Sequence, residues 1–202
     1  MPNWCFTTVT INHEDGEQLK KLSDLIDEWT SREYKPSDFG LPWLGNVIGN
    51  SGICPDEAEW PRCRGRIDYS AVQDGQLIIE TETAWMPMMK MWKMVCDRYL
   101  PDAEIIYRAE ECGQELYVSN DPVDRGTYVF DIVDDDDGVL LDMGIETSFE
   151  LAEEDLAKRL QKLLGSSRTD VKGLLRDFEH SDWSDKVNII PWAYDPDDSG
   201  WK

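Results

Sequence analysis

The chain opens with a strand-like pattern followed by a helix-like one. Residues 6–11 alternate threonine with β-branched and aromatic residues, which is typical of a strand. A polar turn at residues 13–16 follows. Apolar residues then recur at helical spacing between Leu19 and Trp29, and this spacing predicts a helix over residues 16–30.

A β-hairpin is predicted next. Residues 66–72 alternate apolar with polar positions, an Asp-Gly pair supplies a tight turn, and residues 77–83 return the chain. Because side chains alternate across a strand, we expect Ile67, Tyr69 and Ala71 to share one face.

A second helix and two short strands complete this part of the chain. Pro87 suits the first turn of a helix, and the apolar positions after it predict a helix over residues 87–100. A strand begins near Ile105 and turns back at residues 112–114 into another strand over residues 116–119.

This order of elements predicts an α+β fold. It matches the ferredoxin-like arrangement, in which two helices cover one face of an antiparallel sheet. We therefore predict a ferredoxin-like domain over residues 1–121, with Leu22, Ile26, Trp92 and Val95 buried between the helices and the sheet.

The rest of the chain, residues 122–202, predicts a C-terminal α+β extension. Residues 127–133 and 139–145 are expected to pair as a β-hairpin around a run of aspartates. Two helices should follow, the first capped by Ser148 and the second by Thr169.

Residues 31–65 show no hydrophobic period and contain several prolines and glycines. Segments of this length inside a domain are usually functional or contain short helices that the pattern does not reveal. We expect the segment to fold over one end of the sheet, with Trp4 and Trp85 packed beneath it as a floor.

The same segment supplies a candidate interaction surface. Tryptophan and arginine are the residues most enriched at binding hot spots. The segment contains two tryptophans and delivers three arginines to the start of the second predicted strand. The candidate surface consists of Trp43, Trp60, Arg62, Arg64 and Arg66. The alternative is that these arginines pair with carboxylates of the chain itself, which are in large excess.

The net charge of −22 is spread over both halves of the chain. Residues 1–121 contain 22 acids and 11 bases, and residues 122–202 contain 20 acids and 9 bases, so each half carries −11. Such a charge repels nucleic acid and anionic lipid and favours basic partners. Such a charge is typical of a soluble bacterial protein with an acidic surface. The alternative is a protein whose acidic surface imitates nucleic acid.

The chain shows no pattern typical of a metal centre or a secreted protein. Its five cysteines have no Cys-x-x-Cys spacing, which predicts reduced thiols in a cytoplasmic protein that folds without zinc. The aspartates at 134–137 do not fit the register of a calcium loop. We expect no signal peptide, because residues 1–4 lack a basic start and no apolar run follows, and we expect no membrane span, because no apolar run is long enough.

Candidate catalytic groups are scarce. His13 and His180 are the only histidines, and neither lies in a recognisable nucleophilic motif. No phosphate-binding loop follows Gly45 or Gly49. We expect no cofactor and, on balance, no enzymatic activity, with an enzyme site under residues 31–65 as the alternative.

Three short motifs resemble one family. They are Met1-Pro2-Asn3-Trp4-Cys5, Thr83-Ala84-Trp85-Met86-Pro87 and Glu110-Glu111-Cys112-Gly113. They resemble the YubB-type proteins of plasmids, phages and integrative elements, a ferredoxin-like family without an established activity. The resemblance covers about residues 1–120, implies the same fold there and supplies no catalytic residues.

The leading hypothesis is therefore an accessory or regulatory protein of a mobile genetic element that acts by binding a protein. The alternatives are an acidic nucleic-acid mimic that inhibits a host DNA-binding or defence protein, and the enzyme mentioned above. We expect a cytoplasmic location, an unknown protein partner, no direct binding to nucleic acid and no membrane association.

Overall fold

The computed structural model describes residues 3–34, 40–53 and 63–196. Over these residues the chain is a mixed α/β protein with six α-helices and two sheets that are mostly antiparallel. It divides into two compact units. The first comprises Met1–Asp121 and Tyr194–Lys202, and the second comprises Pro122–Ala193.

The first unit is built on a sheet with one strand at its centre. Its elements are β1 (Trp4–Asn12), α1 (Gly16–Thr30), α2 (Leu44–Asn50), β2 (Gly65–Gln73), β3 (Gln76–Ala84), α3 (Met89–Tyr99), β4 (Glu104–Glu111) and β5 (Leu116–Ser119). The strand order is β2-β3-β1-β4-β5. A short strand over Ala193–Tyr194 lies next to β5 in the sheet. β1 pairs antiparallel with both β3 and β4.

All three helices of this unit contribute to one core on one face of the sheet. Cys5, Val9 and Ile11 point from β1 into that core. As predicted, α1 buries Leu22 and Ile26 there, and α3 buries Trp92 and Val95. The two long helices therefore lie on the same face, where their apolar sides remove the inner residues of the strands from water.

Residues 31–65, which show no hydrophobic period in the sequence, contain the short helix α2, which packs into the core. Leu44, Val47 and Ile48 are fully buried and belong to the same cluster as α1 and α3. The side-chain amide of Asn50 donates to the carbonyls of Trp29 and Arg32, both at 2.8 Å. These bonds fix the end of α2 against the end of α1.

A β-bulge in β2 changes the predicted facing of its side chains. Ile67 pairs with Thr81, but Tyr69 pairs with Glu80, so the register shifts between them at Asp68. Because one extra residue reverses the alternation, Ile67 faces the core while Tyr69 and Ala71 face the opposite side. The prediction that these three share one face is wrong.

The second unit is a three-stranded sheet with helices. Its elements are β6 (Thr127–Ile132), α4 (Val139–Asp142), β7 (Ser148–Ala152), α5 (Glu153–Leu164), α6 (Val171–Phe178) and β8 (Val187–Pro191). The strand order is β7-β6-β8, with both pairings antiparallel. Phe130, Leu156, Leu160 and Leu174 are fully buried in its core.

The predicted return strand over residues 139–145 is wrong, because α4 begins there. The carboxylate of Asp135 accepts hydrogen bonds from the backbone N–H groups of Leu140 and Leu141, at 2.9 and 3.1 Å. Gly138 precedes the helix in a left-handed conformation with φ 68°. The partner of β6 in the predicted hairpin is instead β7.

Two predicted helix starts are also corrected. Ser148 begins strand β7 and does not cap a helix, and α5 starts at Glu153 after Ala152. Asp170, not Thr169, caps α6, and its carboxylate accepts from the N–H of Gly173 at 2.6 Å.

Within the residues that the structure describes, no helix is both long enough and apolar enough to cross a bilayer.

Candidate functional site

The sheet of the first unit leaves large aromatic side chains exposed on the face opposite its core. Alternation along β1 directs Cys5 inward and Trp4 and Phe6 outward. Phe6 is 50% exposed and Trp4 is 36% exposed. We call this side of β1–β4 the outer face, and its central residues are Trp4, Phe6, Thr8, Tyr69, Glu80, Glu82, Arg108 and Glu110.

Phe6 lies between two carboxylates on the neighbouring strands. It is directly opposite Glu82 on β3 and directly opposite Glu110 on β4. Residues in this relation have Cβ atoms about 4.5–5.5 Å apart. The outer face therefore presents a half-exposed ring between two acidic side chains, of which Glu82 is only 16% exposed.

An ion pair extends this row toward the edge of the sheet. Arg66 on β2 is opposite Glu82, and its Nη2 lies 2.7 Å from Glu82 Oε2. Its Nε also lies 3.0 Å from Asp68 Oδ1, on the bulge residue. The side chain of Arg66 is thus oriented along the outer face by two carboxylates of its own unit.

A second exposed aromatic group follows β3 directly. Trp85 is 41% exposed and has φ 75°, a left-handed conformation that costs an L-residue roughly 1–2 kcal/mol. Its N–H donates to the carbonyl of Asn3 at 3.0 Å, and the hydroxyl of Thr83 donates to the carbonyl of Met86 at 2.7 Å. These bonds hold the turn in which Trp85 is presented.

The prediction that Trp4 and Trp85 form a buried floor is wrong. Side chains alternate along β1, and Cys5, Val9 and Ile11 face the core. Trp4 therefore faces the opposite side. The same alternation places Phe6 outward, although it was not among the predicted site residues. Reading the strand from Val9 and Ile11 backwards would have identified this exposed pair.

Three of the five predicted surface residues lie at the β2 edge of the same sheet. Trp43 forms an isolated bridge with Arg66, and its indole N–H donates to the carbonyl of Cys63 at 2.6 Å. The exposed Arg64 accepts a 2.8 Å hydrogen bond on its carbonyl from the N–H of Ala84.

The remaining two members of the predicted surface, Trp60 and Arg62, lie outside the described residues. The ring of Trp43 covers Gly45 so closely that a Cβ atom at residue 45 would overlap it. Trp43 is therefore half-buried and fixed, whereas Arg64 is exposed beside the end of β3.

The described residues of the three motifs meet at one end of the sheet, where β1 begins and β3 and β4 end. On the core side of this end, Glu111 is only 3% exposed. Its Oε1 accepts from the N–H of Gly113 at 2.8 Å, while its Oε2 has no hydrogen-bond partner among the described residues. Burial raises the pKa of the nearby Cys5 thiol to about 11, so this thiol is protonated at neutral pH.

A groove of about 780 Å³ lies at the opposite end of the sheet and contains His13. The Nδ1 atom of His13 accepts a hydrogen bond from the backbone N–H of Asp15 at 3.0 Å. The carboxylate of Asp15 accepts from the N–H groups of Glu17 and Gln18, which begin α1. These two titratable groups therefore organise the turn between β1 and α1.

The basic residues of the second unit are largely engaged within that unit. Arg159 donates to the carbonyl of Glu146 and lies 5.1 Å from the centroid of the Phe130 ring. Arg168 pairs with Asp170 and Asp177 at 3.3 and 3.0 Å.

Among the described residues, no group of three or more His, Cys, Asp and Glu side chains is arranged to hold a metal ion.

Comparison with known proteins adds no relative. No family model, curated protein or solved structure matches this chain.

Proposed function

We propose that this protein is a non-enzymatic accessory or regulatory protein of a mobile genetic element that binds another protein through the outer face of its first unit. The observation that carries the proposal is the exposed pair Trp4 and Phe6 on the central strand. A cytoplasmic location and membership of the YubB-type family are part of the same proposal.

A ferredoxin-like arrangement of the first unit supports this family assignment. The element order from β1 to β4, with α2 inserted before β2, and the strand order β2-β3-β1-β4 match that arrangement. The helices α1 and α3 bury their apolar sides in one core. In this arrangement, the sheet face without helices is the surface available to a partner.

The physical properties of the outer face favour binding. Exposed aromatic groups bury large areas on contact and lose few degrees of freedom, which makes them frequent hot spots. Here they project from a strand that is paired on both sides and backed by a dense core. The aromatic groups are therefore held in position before a partner arrives, which lowers the entropic cost of association.

The proposed surface also includes Arg64 and Arg66. Arg66 is held by Glu82 next to Phe6, and Arg64 lies beside the end of β3 that leads to Trp85. A partner that covers Phe6 and Trp85 would therefore also meet these two arginines. Arg64 and Arg66, the two arginines of the predicted surface that lie within the described residues, are therefore at the margin of the aromatic face.

Affinity capture with matched variants tests the proposal. The immobilised chain would be incubated with a lysate of the cells that carry its gene, and retained proteins would be identified by mass spectrometry. Phe6→Ala should lose the retained partner, while Phe149→Ala, which removes a 47% exposed ring from the second unit, should keep it. Retention that is equal in both variants would refute the proposal.

The nucleic-acid mimic is the second candidate function, and the charge of −11 on each half of the chain favours it. A mimic would bind the same basic surface of its target that DNA binds. Addition of duplex DNA to the capture experiment should then release the retained partner. If the partner stays bound in excess DNA, mimicry is excluded and the accessory or regulatory function is the candidate that stands.

A further inference from the structure

We propose that the row Glu82-Phe6-Glu110 on the outer face is a receptor for an arginine side chain in a basic segment of the partner. This inference rests on the proposed function and specifies the chemistry of the partner. The three residues are direct cross-strand neighbours on β3, β1 and β4. Phe6 is half-exposed and Glu110 is partly exposed, whereas the Glu82 side chain is 16% exposed and held by Arg66.

The geometry suits a planar cation. A guanidinium group is attracted to the face of an aromatic ring, and its N–H groups can at the same time bond to carboxylates at the ring's edges. Phe6 supplies a half-exposed ring, and the flanking strands supply one carboxylate on each side. Arginine fits this arrangement better than lysine, because its donors lie in the same plane as the group that stacks.

The carboxylates differ in their availability. Glu82 is already bonded to Arg66 at 2.7 Å. In the part of the chain that the structure describes, neither Glu110 nor Glu80 forms an ion pair. An incoming arginine would therefore bond chiefly to Glu110. Glu80, two residues along β3 from Glu82, is available to a second basic residue.

Charge decides between the possible occupants of this face. Aromatic side chains on an open sheet can stack with bases of a single-stranded nucleic acid. Such a site tracks the phosphates with basic residues, whereas Phe6 here has carboxylates on both sides. Arg66 and Arg108 also lie on this face, but Arg66 is bonded to Glu82 and Asp68, the three carboxylates of Glu80, Glu82 and Glu110 outnumber these two arginines, and the chain carries −22. A second copy of the chain would bring another −22 to the contact. A basic protein segment is the occupant whose charge complements the face.

The test measures binding of a fluorescein-labelled decapeptide of alternating arginine and alanine, at 150 mM salt, by fluorescence anisotropy. The control ligand is the same peptide with lysine in place of arginine. We expect the arginine peptide to bind at least threefold more tightly than the lysine peptide. Phe6→Ala should weaken the arginine peptide at least fivefold, and Glu110→Gln at least threefold.

Two variants control for the general acidity of the chain. Glu14→Gln removes the same charge at the opposite end of the sheet, and Phe149→Ala removes a similarly exposed ring from the second unit. Each should change the affinity for the arginine peptide by less than 1.5-fold. If Phe6→Ala fails to fold, Phe6→Leu keeps an apolar strand residue without the ring and should lose the preference for arginine over lysine.

Other outcomes would overturn the inference. Equal affinity for the two peptides, with Glu14→Gln as damaging as Glu110→Gln, would show nonspecific attraction of cations. Binding of an oligothymidine that Phe6→Ala abolishes would identify nucleic acid as the occupant. A dimer seen by sedimentation that Phe6→Ala dissociates would identify a second copy.

The inference and the proposed function fail separately. If the arginine peptide does not bind but capture from lysate still depends on Phe6, only the arginine chemistry is wrong. If capture is also indifferent to Phe6, the outer face is not the binding surface and both are wrong.

Discussion

Replacing Ile48 by alanine tests whether α2 is part of the core of the first unit. Ile48 is fully buried in the cluster that also contains residues of α1, α3 and β1. The substitution removes three carbon atoms, which at about 0.8 kcal/mol per buried CH₂ gives about 2.4 kcal/mol. A residual cavity adds to this value, so we expect a loss of about 3 kcal/mol in the free energy of unfolding.

Hydrogen exchange followed by mass spectrometry reports this loss for the first unit alone. The most protected amides of β1 should exchange by global unfolding of the unit, and 3 kcal/mol corresponds to about 100-fold faster exchange. Leu41→Ala is the control, because Leu41 precedes α2 and is 49% exposed. It should change the free energy by at most about 0.5 kcal/mol.

Unchanged protection of β1 in Ile48→Ala would refute this account of the core. It would mean that α2 opens independently of the sheet, as a detachable loop would. Faster exchange confined to residues 40–53 would lead to the same conclusion. If α2 is part of the core, Ile48→Ala must also lower the hydrogen-exchange protection of the central strand, β1.

Three further predictions concern thiols, pH and DNA. Burial raises the pKa of Cys5 to about 11 and those of Cys63 and Cys96 to about 12. Of the four cysteines that the structure describes, iodoacetamide at pH 8 should therefore label the exposed Cys112 first, as peptide mass spectrometry can verify. Asp15 caps α1, and hydrogen bonds from that helix lower the pKa of the Asp15 carboxyl. The ionised carboxylate therefore stabilises the folded protein above its ordinary pKa of 3.8, and this stabilisation is lost as pH falls through the lower pKa of the folded protein. In denaturation series between pH 2 and 5, Asp15→Asn should remove this part of the pH dependence, and an unchanged profile would contradict it. Finally, gel retardation at physiological salt should show no binding to duplex DNA, because a charge of −22 opposes approach to a polyanion.

The elements with a clear hydrophobic period could be predicted from the sequence. The apolar positions from Leu19 to Trp29 predict α1 to within its observed bounds, because one face of this helix meets a core and the other meets water. The turn at Asp74-Gly75 likewise predicts the β2–β3 hairpin. In both cases a local pattern agrees with the tertiary contacts.

The elements that depend on distant partners could not be predicted in this way. α2 has only seven residues, including Gly45 and Gly49, so it shows no period of its own. The bulge at Asp68 reverses the facing of Tyr69 without any change in the strand pattern. α4 replaces a predicted strand because Asp135 caps it through side-chain bonds to two N–H groups.

The candidate site was only partly accessible to sequence reasoning. Arg64 and Arg66 were selected for their residue type, and the structure places them beside the outer face. Phe6 is not among the predicted residues, although the alternation along β1 indicates that it faces away from Val9 and Ile11. The alternation alone does not say which of the two faces is covered; that is decided by α1 and α3, whose apolar residues share one core with Val9 and Ile11.

Site-specific photo-crosslinking tests the central claim, that the outer face contacts a protein. A benzophenone side chain would replace Thr8, which is exposed on the outer face between Glu80 and Arg108. A matched chain would carry it at Lys21, which is exposed on α1. After irradiation in lysate, we expect a protein adduct from position 8 and none from position 21. Adducts from position 21 alone, or a nucleic-acid adduct from position 8, would contradict the claim.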